Sequence, residues 1–243
     1  MVAMKKILVI IIAVFLTVCL FSGQPESCNI KIDDGDYDVY FKNNYLYYKK
    51  GIFYYKLFEE KILSYKIYDI DFDKNDELLV ITKEQNNQYG NDLVIFDTDF
   101  TDRLQIMEIF RQDFSEVRPW KIDACDLDNN GETDIYVGVY KDTTFYKDVR
   151  KRPFFYSWDG QRLNKKWLGS FFTDWELVDI SFGDYFGTGY DLAAVLEKNE
   201  TGEYRIGIYN FVGFGFEHMK TFNIDYADDM KIDEIINDKL QSY

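Results

Sequence analysis

The residues with the plainest chemistry form one run, Asp126-Leu127-Asp128-Asn129-Asn130-Gly131-Glu132-Thr133-Asp134. Carboxylate and amide oxygens at alternate positions of a tight loop converge on its interior. Hard oxygen donors of that kind suit Ca2+, which takes six to eight ligands at about 2.3–2.6 Å. Asp126, Asp128 and Asn130 would supply side-chain oxygens. Gly131 permits the sharp turn, Glu132 would offer its backbone carbonyl, and Asp134 closes the ring. An EF-hand starts the same way but needs a bidentate Glu at the twelfth position and flanking helices. Here that position is Val137, inside the strand-like run 135–140, so the loop belongs between strands. A solvated acidic turn is the competing reading of the same residues.

Two further segments align with this one. Around 71–79 the residues Asp71, Asp73 and Asn75 are present, but Asp76 replaces the glycine and Leu79 stands ninth, which makes a weaker metal candidate. Around 184–191 Asp184 and Asp191 remain while the positions between offer few carboxylates, and the expected result is a structural turn without metal. With Asp71, Asp126 and Asp184 as starting points, the spacings are 55 and 58 residues.

The elements that must position these loops are strands. Each segment reads strand, loop, strand, and each is followed by two more apolar runs: 92–96 and 104–110, 154–158 and 162–168, 204–209 and 214–222. Asp159-Gly160 between such runs is a hairpin signal. Four strands in 55 to 58 residues is the size of a propeller blade. Upstream runs at 37–41, 45–48, 52–57 and 62–70 add one more unit. The expectation is an all-β chain: a small or partial β-propeller of about four four-stranded blades over 24–243, with a β-sandwich as the alternative. The aromatic content of 19%, with 20 Tyr, 21 Phe and only 3 Pro, fits half-buried pleated strands.

These segments resemble the FG-GAP (VCBS-type) repeats of integrin α-subunit propellers and bacterial surface proteins. The likeness covers about 62–222. It rests on the acidic loop 126–134 followed by an apolar strand, and on Phe182-Gly183 before Asp184. It implies a propeller with calcium loops between the inner strands of its blades, and the metal roles then fall to Asp126, Asp128, Asn130, Glu132 (backbone) and Asp134. Propellers of that family often have seven blades. A chain with room for about four implies a small ring, an open arc, or a partial ring completed by a partner.

Residues 1–23 read as an export signal. Lys5-Lys6 precede a 15-residue run from 7 to 21 that is apolar except for Thr17, shorter than the roughly 20 residues of a bilayer span. Leu16-Thr17-Val18-Cys19 is similar to a lipobox with Cys19 as the lipidated residue, although Val18 departs from the usual small residue. Plain secretion and an uncleaved tether are the other routes. The expected location is therefore a bacterial cell surface or the medium, where Cys28 and Cys125 could form a disulfide.

The formal net charge of −15 disfavours nucleic acid and anionic partners and favours cations. One histidine, His218, supports neither a common zinc site nor a Ser-His-Asp centre. Trp120, Trp158, Trp167 and Trp175 could stack on sugars or pack between blades. The basic run Lys147, Arg150, Lys151, Arg152 could meet an anion or be a solvated loop. The resulting expectation is a non-enzymatic, calcium-stabilised binding or scaffold module with a protein or polysaccharide partner. The alternative is a carbohydrate-active enzyme, a glycosidase or lyase, using carboxylates on a propeller face. The segment 230–236 reads as either a closing strand or a short helix, and a strand near 30–32 could pair with it.

Overall fold

A computed structural model describes residues 26–33, 35–173, 175–225 and 231–241. The expected export segment and Cys19 lie outside the described residues. Within them, no helix is long and apolar enough to cross a membrane.

Among the described residues, sixteen strands form four antiparallel sheets, each a meander of four consecutive strands. Sheet I contains β1 (Glu26–Ile32), β2 (Gly35–Lys42), β3 (Tyr45–Lys50) and β4 (Phe53–Lys56). Sheet II contains β5 (Lys61–Tyr68), β6 (Glu77–Lys83), β7 (Asp92–Phe100) and β8 (Leu104–Asp113). Sheet III contains β9 (Pro119–Cys125), β10 (Asp134–Lys141), β11 (Arg150–Trp158) and β12 (Leu163–Leu168). Sheet IV contains β13 (Glu176–Gly183), β14 (Leu192–Lys198), β15 (Tyr204–Phe211) and β16 (Phe216–Ile224). One helix, α1 (Ile232–Gln241), follows. The arrangement is a four-bladed β-propeller.

Alternate residues of a strand face opposite ways, and a blade has a neighbour on each face. Its central strands are therefore apolar at consecutive positions rather than at every second one. In β6, Leu78 and Val80 pack toward sheet I with Ile30, Val39 and Leu46, while Leu79 and Ile81 pack toward sheet III with Ile122, Ile135 and Val137. In β10, Tyr136 faces the other way and joins Leu177, Val195 and Tyr209 of sheet IV. Ala194, with Leu192 and Leu196, closes the remaining face of β14, but against Ile232, Ile235 and Ile236 of α1 rather than against a sheet.

Polar links join successive blades through their first strands. Lys66 pairs with Asp123, and Ser64 Oγ accepts the Ile122 N–H at 3.1 Å. Lys121 pairs with Asp179 at 2.6 Å, and Ser181 donates its hydroxyl proton to Asp233 of α1. Lys231, just before the helix, pairs with Glu26 at 2.8 Å. The helix thus takes the interval between sheet IV and sheet I.

Two expectations about the ends change. Residues 230–236 read equally as strand or helix in the sequence, and the structure makes 232–236 helical. Isoleucines at 232, 235 and 236 lie on one helical face, the i, i+3, i+4 pattern. The strand at 30–32 pairs with β2, Ile30 opposite Tyr37, and not with the C-terminus. It opens sheet I, so the run 62–70 supplies the first strand of sheet II instead of the last strand of sheet I.

Because α1 seals an otherwise open apolar face, Ile236→Ala should lower unfolding free energy by about 2–4 kcal/mol. Asp238→Ala, on the exposed side of the same helix, should change it by less than about 0.5 kcal/mol. Urea denaturation of the two variants checks this; equal effects would mean that the helix face is not a core.

Candidate metal centres

The loops β5–β6, β9–β10 and β13–β14 share one backbone design. Each starts at an aspartate: Asp69, Asp126 or Asp184. The third and fifth residues after it are left-handed: Phe72 and Lys74 (φ 61° and 81°), Asn129 and Gly131 (56° and 82°), Gly187 and Gly189 (66° and 79°). That conformation makes two turns in five residues and aims successive N–H groups inward. The starting carboxylate accepts them. Asp126 takes the Asn130 and Gly131 N–H groups at 3.0 and 2.8 Å, and Asp184 takes those of Thr188 and Gly189 at 2.8 and 2.7 Å. Asp69 takes the Lys74 N–H at 3.0 Å.

This geometry shifts the expected alignment of the first loop by two residues. Asp69, not Asp71, is the counterpart of Asp126, and the spacings become 57 and 58. Other bonds agree. The Ile70 N–H donates to Glu77 Oε2 at 2.8 Å, as the Leu127 N–H donates to Asp134 Oδ2 at 3.1 Å. The Asn75 N–H donates to Asp73 Oδ1 at 2.7 Å, as the Glu132 N–H donates to Asn130 Oδ1 at 2.8 Å. Asp71 therefore matches Asp128, Asp73 matches Asn130, and Glu77 matches Asp134. Asn75 turns its side chain to sheet I and accepts the Asp33 N–H at 2.8 Å.

Two sets of carboxylates result. One oxygen from each of Asp126, Asp128 and Asp134 lies within 4.8 Å of the others, and the same holds for Asp69, Asp71 and Glu77. Oxygens bound to one Ca2+ can be at most about 5 Å apart, so both sets fit a single cation. Asn130 and Glu132, in the loop of the Asp126, Asp128 and Asp134 set, are both exposed. The third loop has Leu192 where Asp134 stands, which removes the buried ligand. Asp191 instead tethers blades: its carboxylate accepts the Asp126 N–H at 2.9 Å, and its own N–H donates to Asn129 Oδ1 at 3.3 Å.

The two sets differ in what balances their charge. Asp134 is fully buried, and its Oδ1 has no hydrogen-bond partner. Burial pushes its pKa up to about 6, against the pull of Lys166. Lys166 Nζ lies 2.6 Å from Asp134 Oδ2 and 2.8 Å from Asp128 Oδ1. Glu77 is 3% exposed and forms no ion pair among the described residues. Burial pushes its pKa up to about 8, and Asp71, Asp73 and Asp69 add to the rise.

Sequence reasoning missed Asp69, Glu77 and Lys166. The 57-residue offset could have found the first two. Lys166 follows the loop by 32 residues and carries no motif.

The other candidates are occupied in packing. The Arg205 guanidinium lies over Trp175 at 3.9 Å and the Lys151 ammonium over Trp120 at 4.0 Å. Trp158 packs edge-on to Phe110, and Trp167 donates Nε1–H to the Phe214 carbonyl at 3.2 Å. The basic run is dispersed. Arg152 is fully buried and donates to the carbonyls of Lys141, Ser170 and Asp148, while Arg150 pairs with Asp148. His218 Nε2 meets Thr221 Oγ1 at 2.7 Å. Cys28 and Cys125 are both free thiols. No family model matches the chain, and no curated protein does.

The raised carboxyl groups fix a sign for pH dependence. Below about pH 4.5 Glu77 is protonated in folded and unfolded chains alike. Between there and about pH 8 the folded chain holds a proton that the unfolded chain has released, so metal-free stability declines as pH rises through this window. In chelator, melting temperature should therefore fall from pH 5 to pH 8, and Glu77→Gln should flatten the decline. A wild-type melting temperature that rises over the same range would contradict this placement of Glu77.

Proposed function

We propose that this chain is an extracytoplasmic, non-enzymatic binding or scaffold module of the FG-GAP type, with calcium as the ion of its blade loops. The observation that carries the reading is the pair of matched carboxylate sets on successive blades. Their donors are all oxygens, with neither His nor Cys, as a hard cation prefers. Each set also contains a buried carboxylate, which is costly in a low-dielectric interior unless a cation or a proton compensates it. Calcium suits this better than magnesium, because a loop of carboxylates and carbonyls is an irregular cage rather than a rigid octahedron.

A bound ion would join the end of the first strand of a blade to the start of the second, and would stabilise the ring by mass action. The blade faces would then serve as a fixed surface for a protein or polysaccharide partner at the cell exterior. Export is supported by Lys5-Lys6 and the apolar run 7–21, with Cys19 as the lipid attachment point if the segment is processed as a lipoprotein.

Calorimetric titration of chelator-treated protein with CaCl2 tests the metal part. At least one ion per chain is expected, with loss of binding in the double variant Asp71→Asn/Asp128→Asn and weaker binding of Mg2+. Absence of binding at millimolar calcium would reject it. Incubation with cell-wall and plant polysaccharides tests the non-enzymatic part: release of reducing ends or unsaturated sugars would favour the carbohydrate-active alternative.

A further inference from the structure

The two carboxylate sets are alike in backbone and ligand positions, but not in their surroundings. In sheet III the outer strand β12 carries a bulge. Phe155 is opposite Trp167 and Tyr156 is opposite Lys165, so Lys166 is the extra residue with no partner across the ladder. A bulged residue is re-aimed relative to its neighbours, and here the lysine stem reaches the β9–β10 loop. Its side chain is only 18% exposed, and its ammonium touches two carboxylates, those of Asp128 and Asp134.

Sheet II has the same bulge on β8. Ile95 is opposite Phe110 and Phe96 is opposite Glu108, which leaves Ile109 as the extra residue. Ile109 precedes Lys166 by the same 57 residues that separate Asp69 from Asp126. It carries no charge and stands partly exposed. Among the described residues, the three close carboxylates of the β5–β6 loop are therefore paired with no ammonium, the loop's own Lys74 standing exposed. One of its buried oxygens also lacks a donor. Asp69 Oδ1 is buried without a hydrogen bond, and Glu77, 97% buried, receives only the Ile70 N–H on its Oε2.

We propose that Lys166 is a built-in cation filling the 126–134 cradle, and that the exchangeable divalent ion is held by Asp69, Asp71 and Glu77 on the preceding blade. This rests on the calcium reading above and specifies which loop it applies to. An ammonium nitrogen at 2.6–2.8 Å from two carboxylate oxygens takes the space of a metal bound at about 2.3–2.6 Å. A divalent ion entering that cradle must first expel a lysine from a partly desolvated ion pair, which weakens its binding. The loop of sheet II has no such competitor. The ion in sheet II is lost on chelation, whereas the lysine in sheet III is not, so one joint of the ring responds to calcium and its twin does not.

Calcium titration of wild type, Asp71→Asn, Lys166→Met and Lys166→Met/Asp128→Asn tests this. Expected stoichiometries are one, none, two and one. The thermal shift on adding calcium should be larger for Lys166→Met than for wild type, since the variant starts with an uncompensated cradle; this readout holds even if that variant is too unstable for calorimetry. Two ions in wild type, or a single ion in Lys166→Met with an unchanged thermal shift, would overturn the proposal. Failure of the calcium reading looks different: wild type takes none. In that case one ion in Lys166→Met would still uphold the lysine as the occupant of its cradle, and none in either protein would overturn both.

Discussion

A carboxylate that caps backbone N–H groups at the head of a left-handed loop is the interaction from which the rest of this molecule follows. Asp69, Asp126 and Asp184 each make it. Each bond fixes where the first strand of a blade ends and the second begins. Because side chains alternate with period two, that position decides which residues of the second strand face the preceding blade and which face the next. A slip of one residue in the β9–β10 loop would turn Tyr136 toward sheet II and Ile135 toward sheet IV, and would undo two cores at once. The same loops converge their carboxylates, so the device that sets blade register also creates the cation cradles.

Much of the architecture is legible in the sequence because the blades are repeats with a shared pattern. The acidic loop 126–134, the Asp159-Gly160 hairpin and the doubly apolar central strands all report local structure, and the four-sheet arrangement follows from them. The phase of the repeat is less legible. In the first loop acids and amides alternate through Asp69, Asp71, Asp73 and Asn75, so two alignments look equally good by spacing. The glycine that would break the tie is Lys74, held at φ 81° without the usual residue for that conformation. Glu77 in place of aspartate hides the last carboxylate of the set further. What decides the phase is a hydrogen bond, Ile70 N–H to Glu77 Oε2, and spacing alone does not contain it.

Lys166 and Arg152 show a second limit. Both are basic residues that composition assigns to a solvated surface, and both are drawn inward by particular geometry. Arg152 is held by carbonyls from residues 141, 148 and 170, which come from three separate stretches of chain. Guanidinium, with five donors in a planar fork, is the side chain able to satisfy several carbonyls at once. The acidity of the whole protein is likewise not spread as a uniform coat, since acids line the loop interiors and join the blades at Lys66–Asp123 and Lys121–Asp179.

The helix that covers sheet IV has a kinetic consequence. A chain that emerges N-terminus first can pair sheets I, II and III as they appear, because each new blade meets an apolar face already waiting. Sheet IV has no such successor. Its outer face, with Leu192, Ala194 and Leu196, stays bare until the later residues 231–241 arrive to cover it. Closure of this face therefore waits for α1, and a chain whose four sheets have formed without the helix exposes an apolar surface open to aggregation. A chaperone that holds this chain would have most to do in the interval between the fourth sheet and the docking of α1.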